Sequence, residues 1–544
     1  MRSVGHPFSS SYVAGEPAAR AFIPLDFRSA EARVARTRAA AARRLEAGLG
    51  EELRAQQARL PGSPARDANL ASLLAGDTAV VATGQQVGLF LGPLYGFYKA
   101  ASAIAVARAL EAESGTRVVP LFWLQTEDHD FAEIACCTVA GADGAPAELS
   151  LPPEPAAEAR VSIAHRRLGP EIAALLDQLE QALPRSAAAT ETLALLRAHY
   201  RAGQPLAAAF GGAMAQLFAE EGLLVFDPRV APVARLAAPL YRRVVADAAA
   251  IGAELATRAV ELEAAGFDVQ IPVRSDCALV FYHRDRATGA RYRIARQADG
   301  AWALAGSEHA ASGEEIAVAL ETEPLRFSSS ALLRPIVQDT LLPTAAYVGG
   351  PAEVSYFAQL GPLYRRFEVS MPLIVPRARF VCLGAPDRRR LGQLGLAARD
   401  VLTASDAALL ARVSMSRPAG AADPEALGSR AAELAAGASA LSEAVASAFP
   451  ADRNLSRAAG RTGATVATAL RKLVDRYRST LASRDRVTAD RLARLRAALA
   501  PGGAPQERAY AWPSLAARHG VLPLKRAVLD RLSPYAGALE ELEP

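Results

Sequence analysis

Hydrophobic residues in the first third of this chain form two short, uniform runs separated by a longer periodic stretch. Asp77 to Thr83 and Arg117 to Leu124 are apolar runs rich in β-branched and aromatic residues, which is typical of buried strands. Between them, apolar residues keep helical spacing from Pro93 to Glu113, and proline suits a first helical position. The order strand, glycine loop, helix, strand predicts a βαβ unit and therefore a parallel sheet.

The same order of elements returns later in the chain. Leu223 to Phe226 follows a helical pattern from Phe210 and predicts a third strand. Thr344 to Val348 predicts a fourth strand, after which Pro351 opens a helix predicted through Phe367, and Met371 to Val375 predicts a fifth strand. We therefore expect an α/β fold with a Rossmann-like core built on a parallel sheet.

Two stretches interrupt this pattern and are interpreted as insertions. Residues 141–209 are rich in Pro, Ala and Glu, with turns and short helices, and residues 240–325 contain Ile271 to Val273 and Ala278 to Tyr282, which alternate with turns as antiparallel strands do. The core is then predicted to comprise three parts of the chain: 1–140, 210–239 and 326–390.

From residue 391 the chain becomes Ala-rich and helical, with leucines at heptad spacing. Two long helices separated near Phe449 and Pro450 predict an antiparallel helical hairpin, and we interpret residues 391–500 as an α-helical coiled coil that forms a homodimer. An ordinary helical bundle is the alternative, because alanine packs in either. The turn-rich residues 501–544 are predicted to pack back on the core. The heptad positions are Leu427, Ala431, Leu434, Ala438, Leu441 and Val445, then Val466, Leu470, Leu473, Tyr477 and Leu481, and finally Leu492, Leu495 and Leu499.

Composition excludes several classes of protein. The 61 Lys and Arg against 57 Asp and Glu leave a formal charge of +4, too balanced for a nucleic-acid-binding surface. The first residues contain no apolar leader, and no run of about 18 apolar residues occurs, so we expect a cytoplasmic protein without a membrane segment. None of the four cysteines stands in a C-x-x-C arrangement, which predicts reduced thiols and no metal site.

Candidate chemistry begins in the glycine-rich segment after the first strand, because helix N-termini at the carboxyl edge of an open α/β sheet attract anions. Its spacing matches neither a dinucleotide fingerprint nor a phosphate-binding P-loop, and a turn needed only for chain reversal is the alternative. The candidate nucleotide- or phosphate-binding residues are Gly84, Gln85, Gln86, Gly88, Gly92, Pro93, Tyr95 and Lys99.

Four ionisable residues follow the second strand directly. Glu127, Asp128, His129 and Asp130 are candidate catalytic residues, since crowded carboxylates beside a histidine can bind an ammonium group or accept a proton. Solvated loop charges are the alternative. A metal site is disfavoured, because only one histidine is present and Cys136 and Cys137 lie at no recognised ligand spacing.

A third candidate region combines the residues before the fourth strand with the helix after it. There, side chains three residues apart share one helical face that could bind an amino or hydroxyl group, and an arginine after the fifth strand could bind two oxygens. Helix capping and polar contacts in the core are the alternative. The candidate substrate-binding residues are Arg334, Gln338, Gly349, Gly350, Glu353, Tyr356, Gln359 and Arg377.

These segments closely resemble the BshC family. The resemblance lies in Thr83 to Tyr95, in Phe122 to Phe131, in Arg334 to Asp339 and in Gly349 to Tyr356, with Pro505 to Arg508 as a further motif. It spans nearly the whole chain and implies a cysteine ligase that joins L-cysteine to glucosaminyl-malate in the last step of bacillithiol synthesis. It also implies a core similar to class I aminoacyl-tRNA synthetases, with two connecting insertions and a dimerising coiled coil.

By that resemblance, Gly88 to Pro93 stands where class I synthetases carry a His-Ile-Gly-His motif. Neither motif histidine is present, and no Lys-Met-Ser-Lys-Ser loop follows. Since amide formation from a free carboxylate needs activation, ATP is the expected co-substrate. In that scheme Lys99 and the glycine loop hold phosphates, while Asp128, His129 or Asp130 binds or deprotonates the amine.

Two other functions stay open on the sequence. One is a non-catalytic scaffold that binds a nucleotide or metabolite and assembles through the coiled coil. The other is a nucleotidyltransferase-like enzyme that acts on a different acceptor. Turnover by the purified protein separates the first from a ligase, and adenylate exchange with a carboxylate other than cysteine identifies the second.

Overall fold

The structure, a computed structural model, describes residues 7–413, 422–482 and 486–543. They form two compact units, one of residues up to 380 together with 507–542, and one of residues 381–506. Residues 414–421 and 483–485 of the predicted 391–500 region lie outside the described residues, as does the start of the chain before Pro7.

The strands, in chain order, are β1 Thr78–Gln85, β2 Arg117–Leu124, β3 Cys136–Ala140, β4 Pro146–Ser150, β5 Leu224–Phe226, β6 Cys277–His283, β7 Arg291–Arg296, β8 Trp302–Leu304, β9 Ala310–Ala311, β10 Phe327–Ser329, β11 Thr344–Gly349, β12 Leu373–Pro376, β13 Arg379–Cys382 and β14 Leu539–Leu542. The helices up to the fifth core strand are α1 Phe8–Ala14, α2 Pro17–Arg20, α3 Ala30–Ala41, α4 Ala47–Gln57, α5 Pro64–Ala75, α6 Tyr95–Ser114, α7 Phe131–Ile134, α8 Glu171–Ala182, α9 Ala187–His199, α10 Leu206–Leu217, α11 Ala231–Ala246, α12 Ala248–Ala264, α13 Gly313–Thr322, α14 Arg334–Leu341, α15 Pro351–Phe357 and α16 Gly361–Arg366. The later helices are α17 Ala385–Leu394, α18 Ala398–Thr403, α19 Asp406–Val413, α20 Pro424–Ala448, α21 Arg453–Ala482, α22 Arg486–Leu499, α23 Gln506–Ala509, α24 Pro513–His519 and α25 Val521–Arg531.

The core of the first unit is a five-stranded parallel sheet in the order β12, β11, β1, β2, β5. All five strands coincide with the predicted ones, because each is a continuous apolar run buried on both faces. Numbered by their order in the chain, the core strands run 3-2-1-4-5, the doubly wound order. The strand order therefore reverses between β1 and β11, where such sheets open a crevice for ligands.

The helix predicted from Pro351 to Phe367 is in fact two helices. α15 ends at Phe357, and α16 begins at Gly361. Apolar side chains on both sides of the break are buried, so the periodic pattern continued while the backbone turned. Hydrophobic periodicity records which residues face the core and does not register a short kink.

The two insertions carry their own small sheets. β3 and β4 form a hairpin that is followed by α8 and α9. The second insertion contains an antiparallel sheet in the order β10, β6, β7, β8, β9. The predicted strand Ala278 to Tyr282 lies within β6, whereas Ile271 to Val273 is not a strand, so that part of the prediction was wrong.

In the second unit, α20 and α21 form the predicted antiparallel hairpin. Tyr477 Oη donates to the carbonyl of Ala422 at 2.9 Å, and Gly463 approaches Ser442, so the two helices run in opposite directions. The heptad pattern predicted that this pairing continues through Leu492, Leu495 and Leu499, but it does not. They are buried in a separate small core with residues of α17, α18 and α19.

The C-terminal residues 507–542 belong to the first unit, and they contain α24 and α25 rather than turns alone. A buried ion pair ties them to the residue after β12. Arg377 donates through both terminal nitrogens to the carboxylate of Glu507, at 2.7 and 2.8 Å, and each side chain is only 2% exposed. Arg379 Nε lies 3.1 Å from the same carboxylate.

We predict that Glu507→Gln destabilises the protein by about 3–5 kcal/mol, because it leaves Arg377 as a buried charge without its partner. Burial alone would raise the pKa of Glu507, but Arg377 and Arg379 hold it below the ordinary value. The stabilising contribution is therefore complete above the unfolded pKa of about 4.3 and is lost as pH falls through the folded pKa. Urea unfolding at pH 7 and at decreasing pH measures both effects.

The matched control is Glu180→Gln, which removes a carboxylate that pairs with Arg197 while 60% exposed. A pair of that kind contributes about 0–1 kcal/mol. Equal losses for the two variants would contradict the role given to the buried pair.

Candidate active site

Two adjoining cavities lie at the carboxyl edge of the parallel sheet, with volumes of about 420 and 280 Å³. Gln125, Ala331 and Arg334 line both cavities, so these residues form the junction between them. The other residues around the larger cavity are Trp123, Glu127, Asp128, Ile271, Pro272, Val273, Arg274, Cys277, Ala278, Leu279, Phe281, Arg291, Arg293, Ser329, Ser330 and Leu332. Those around the smaller cavity are Gln85, Gln86, Tyr95, Lys99, Glu133, Gly350, Pro351, Ala352, Glu353, Tyr356, Arg377 and Arg508.

A buried ion pair spans the crevice between β1 and β11. Lys99, from the first turns of α6, lies with Nζ 2.5 Å from Glu353 Oε2 on α15. Nζ also donates to the carbonyl of Gly84 at 2.6 Å and to Gln85 Oε1 at 2.9 Å. An ammonium group has three N–H donors, and these three acceptors use all of them. Lys99, as placed, has no donor left for the phosphate that the sequence assigned to it.

Glu353 is held as an anion on its other side too. Tyr347 Oη donates to Oε1 at 2.5 Å, and the backbone N–H of Gly350 donates to Oε2 at 2.7 Å. Burial alone would raise the pKa of Glu353, but Lys99 and these donors hold it below its ordinary value. The two charges of the pair therefore compensate each other, and neither is available to a ligand.

Arg334, at the start of α14, is a buried cation without such compensation. Its guanidinium donates to Gln338 Oε1 at 2.9 Å and to Tyr356 Oη at 3.1 Å, and it lies 4.9 Å from the ring centre of Tyr347. Within the described residues no carboxylate oxygen lies within 4.0 Å of it. These two acceptors are uncharged, while a guanidinium offers five donors. A buried arginine that faces two cavities in this state favours an anionic ligand.

Glu127 and Asp128 line the larger cavity, where both are already bonded to the protein. Glu127 accepts hydrogen bonds from the Ser329 hydroxyl and from the Ser329 N–H at 3.2 Å. Asp128 accepts from Gln86 Nε2 at 2.8 Å and lies 3.4 Å from Arg291 Nη1. Burial alone would raise the pKa of Asp128, but the bonds from His129, together with Arg291, hold it well below its ordinary value. Asp128 is thus a stable anion and a weak proton acceptor.

His129 and Asp130, the other two candidate catalytic residues, line neither cavity. Asp130 caps α7, where its Oδ1 accepts the N–H of Glu133 at 3.2 Å. The His129 ring packs 6.2 Å from the ring of Phe281. The carboxylate of Asp130 therefore serves as a helix cap.

The glycines of the loop after β1 are packed into the protein and line neither cavity. Phe90 lies 5.2 Å from the ring of Tyr200, whose hydroxyl accepts the N–H of Leu91 at 3.2 Å. A Cβ on Gly88 would lie 1.9 Å from the carbonyl oxygen of Gly92, so glycine is required by the approach of the loop to itself. Of the predicted nucleotide-binding residues, only four line the smaller cavity, and Gly84, Gly88, Gly92 and Pro93 do not. The four are Gln85, Gln86, Tyr95 and Lys99.

The predicted substrate-binding residues divide in the same way. Gln359 bonds to the backbone of Ile271 through both its amide atoms, at 3.0 and 2.9 Å, and Gln338 is buried against Arg334 and Asp339. Neither of these two glutamines lines a cavity. Gly349, which ends β11, does not line one either. The predicted residues that line a cavity are Arg334, Gly350, Glu353, Tyr356 and Arg377.

Sequence reasoning missed several residues of the site. Arg291 and Arg293 come from β7 in the second insertion, and Ser329 ends β10, so the small antiparallel sheet supplies one wall of the larger cavity. No local pattern connects these residues with the core. Arg508 did carry a signal, because it belongs to the Pro505 to Arg508 motif, and Glu133 lies only three residues beyond the acidic segment.

Comparison with known proteins agrees with this architecture. The family described as "Bacillithiol biosynthesis BshC, N-terminal Rossmann-like domain" matches residues 2–378, which include the whole parallel sheet. The chain belongs to the BshC family. That match includes both halves of the doubly wound core and most of the residues around the two cavities.

Three relatives of this BshC chain carry the name "Putative cysteine ligase BshC". The protein of Koribacter versatilis is 39% identical over 349 residues, 64% of this chain and 63% of the relative. That of Salinibacter ruber is 35% identical over 384 residues, 70% of this chain and 68% of the relative. That of Solibacter usitatus is 33% identical over 357 residues, 62% of this chain and 61% of the relative. The chain thus spans less than two thirds of the Koribacter and Solibacter relatives.

No helix among residues 7–413, 422–482 and 486–543 is long and apolar enough to cross a membrane. In the same ranges, no three side chains of His, Cys, Asp or Glu are grouped so that they could hold a metal ion. No disulfide joins the four cysteines, all of which lie within the described residues, and three of them are buried.

We predict that Gly88→Ala destabilises the protein by about 1–3 kcal/mol, because the new methyl group overlaps a backbone carbonyl that cannot rotate away. Gly437→Ala is the control, since a Cβ at that position of α20 meets no atom within 4 Å. There the change should stabilise by about 0.4–1 kcal/mol. Thermal unfolding of both variants measures the difference, and a harmless Gly88→Ala would show that the glycine serves something other than loop packing.

Proposed function

We propose that this chain is the cysteine ligase of bacillithiol biosynthesis and joins the carboxyl group of L-cysteine to the amino group of glucosaminyl-malate. The names of its relatives support a ligase rather than a non-catalytic scaffold. The observation that carries the proposal is Arg334, a buried arginine without a carboxylate partner at the junction of two cavities. A ligase needs such a place, where a carboxyl group is held within reach of a second substrate.

The walls of the two cavities suit different substrates. The larger cavity combines arginines with hydrogen-bonding serines, which fits an acceptor with two carboxylates and several hydroxyl groups. The smaller cavity exposes Tyr95, Gln86 and Arg508 beside Arg334, which fits the carboxyl group of cysteine and its activating group. In this arrangement the amide bond forms at the junction, near Gln125.

ATP is the proposed activating co-substrate, because a free carboxylate is too poor an electrophile to form an amide. The residues that would meet its phosphates differ from those that the sequence suggested. All three N–H donors of Lys99 are bonded to protein acceptors, and Gly88 and Gly92 are packed away from the cavities. Arg334 and Arg508 are therefore the proposed partners of phosphoryl oxygens.

Residues 391–500 are proposed to hold two chains together as a homodimer. Where α21 approaches α20, Gly463 lies against Ser442 and Ala438, whereas some of the heptad leucines are exposed. Leu434 is 56% exposed and Leu441 67% exposed, and Leu473 on α21 is 66% exposed. Exposed apolar rows of this kind indicate a protein–protein contact. A core similar to that of class I aminoacyl-tRNA synthetases is likewise a proposal, supported by the 3-2-1-4-5 strand order.

The function is tested by incubating the purified protein with cysteine, glucosaminyl-malate and ATP. Product with the mass of the amide, formed only when all three are present, is the expected result. Turnover with another carboxylate in place of cysteine, or none with any acceptor, would contradict it.

We predict that Arg334→Lys raises the KM for cysteine about 10–100-fold, since a guanidinium bond to a carboxylate is worth about 1.5–3 kcal/mol and lysine lacks the planar fork. Arg293→Lys, in the wall of the larger cavity, is the matched control. It should change the KM for glucosaminyl-malate and leave that for cysteine unaltered. The reverse pattern would exchange the two substrates between the cavities.

For the dimer, we predict that Leu434→Asp combined with Leu441→Asp produces a monomer in sedimentation equilibrium, because two charges would be buried in the apolar contact. Val260→Asp, which is 65% exposed on α12, is the control and should leave the molecular mass unchanged. An intact dimer in the double variant would place the contact elsewhere.

A further inference from the structure

The carboxylates around the two cavities differ in how completely their charge is compensated. Asp128 has Arg291 and two further donors, and Glu353 has Lys99. Glu127 accepts two hydrogen bonds from Ser329, one from its backbone N–H and one from its hydroxyl. Glu133 accepts a hydrogen bond from Gln86 Nε2 at 2.8 Å. Within the described residues no nitrogen of Lys, Arg or His lies within 4.0 Å of its carboxylate.

The position of Glu133 is fixed although its charge is not neutralised. It lies in α7, a single helical turn capped by Asp130, directly after the acidic segment. The amide nitrogen of Gln86 donates one N–H to Glu133 and the other to Asp128, both at 2.8 Å. Gln86 therefore links Asp128, in the wall of the larger cavity, to Glu133, in the wall of the smaller one.

We infer that Glu133 accepts the proton of the attacking amino group, while Arg334 holds the carboxyl group under attack in the same cavity. This inference rests on the proposed function, because it assigns the proton acceptor for that reaction. The sequence suggested Asp128, His129 or Asp130 as the residue that deprotonates the amine. The inference assigns this role to Glu133, about one helical turn further along the chain. Asp128 is an ion-paired anion, and Asp130 is occupied as a helix cap.

The step balances as an acyl transfer. The lone pair of the amino nitrogen forms the C–N bond to the carbonyl carbon of cysteine, which a nucleoside triphosphate has activated. The carbonyl carbon then loses its bond to the phosphate-type leaving group, which departs with the bonding electrons. One N–H proton passes to the carboxylate of Glu133, and water at the rim of the cavity removes it afterwards.

The surroundings of Glu133 favour a proton acceptor. The charged and titratable groups that face it are Asp128 and Asp130 on its own side and Tyr95 and Arg508 across the cavity. Glu133 is an exposed residue, and partial shielding of its carboxylate together with the two aspartates raises its pKa, against the opposing bond from Gln86. Tyr95 stays protonated beside it, since burial and Glu133 raise the pKa of Tyr95 to about 12.

The pH dependence follows from this direction. Glu133 must be ionised to accept a proton, so kcat/KM should rise with pH through the pKa of Glu133. Because that pKa lies above the ordinary glutamate value of about 4.3, the acid limb of the profile should lie at higher pH than for an unperturbed carboxylate. If Asp128 were the acceptor, the limb would lie far below that value, since its pKa is lowered.

The test is Glu133→Gln in the full chain, assayed with cysteine, glucosaminyl-malate and ATP across a range of pH. We expect kcat to fall about 10²–10⁴-fold with KM values close to wild type, and the acid limb to disappear. Hydroxylamine, whose amino group is unprotonated at neutral pH, should still trap activated cysteine as the hydroxamate with the variant. That result would place the defect after activation of the carboxyl group.

Glu148→Gln is the matched control, an exposed glutamate on β4 that lines neither cavity, and it should keep the wild-type rate and profile. Glu133→Asp is the second variant, for the case that glutamine disturbs α7. It retains a carboxylate, so an intermediate rate with the acid limb preserved is expected. Wild-type rates and an unchanged profile in both Glu133 variants would overturn the inference.

The assay distinguishes a failure of the proposed function from a failure of the role given to Glu133. If the wild-type protein forms no amide from the three substrates, the ligase assignment falls, and the role of Glu133 falls with it. If the wild type forms the amide and Glu133→Gln does so at the same rate, only the inference about Glu133 is wrong.

Discussion

The Lys99–Glu353 ion pair fixes the electrostatics of the whole site. Reversal of the strand order between β1 and β11 opens a crevice, and this pair crosses it from α6 to α15, so both halves of the core are joined at the point where a ligand enters. Breaking such a pair would leave a buried charge, which is costly, so the two halves are held at a fixed separation. Lys99 and Glu353 neutralise each other, whereas Arg334 beside them donates to two uncharged acceptors, Gln338 and Tyr356.

Several parts of this arrangement can be read from the sequence, because they depend on local order. β1 and β2 are apolar runs long enough to be buried on both faces, and the predicted bounds differ from the observed ones by at most a few residues. The carboxyl edge of a parallel sheet then follows from the order of elements. For the same reason the sequence predicts that Arg334 and Glu353, in the first turns of the helices on either side of β11, lie at the site.

Other parts depend on contacts between distant segments, which no local pattern contains. Gly88 and Gly92 suggest a loop that approaches a phosphate, yet the atom that excludes a side chain at Gly88 is the carbonyl of Gly92 itself. Arg291 reaches Asp128 across 163 positions of the chain, from a sheet whose place beside the core cannot be inferred from spacing. Asp130 and Glu133 are both acidic residues shortly after β2, yet Asp130 caps α7 and lines neither cavity, whereas Glu133 lines the smaller one.

The ionisable groups of the site differ in whether the protein already pairs them with an opposite charge, and this difference determines which of them can act on a ligand. Lys99, Glu353 and Asp128 are tied to partners of opposite charge and hold the walls in place. Arg377 is fixed in the same way by Glu507, which brings the C-terminal segment and with it Arg508 to the smaller cavity. Arg334 and Glu133 both line the smaller cavity, and among the described residues neither has an oppositely charged group within 4.0 Å. A cation that binds an anion and a carboxylate that accepts a proton are the two groups that amide formation requires from a protein, and here they face the same space.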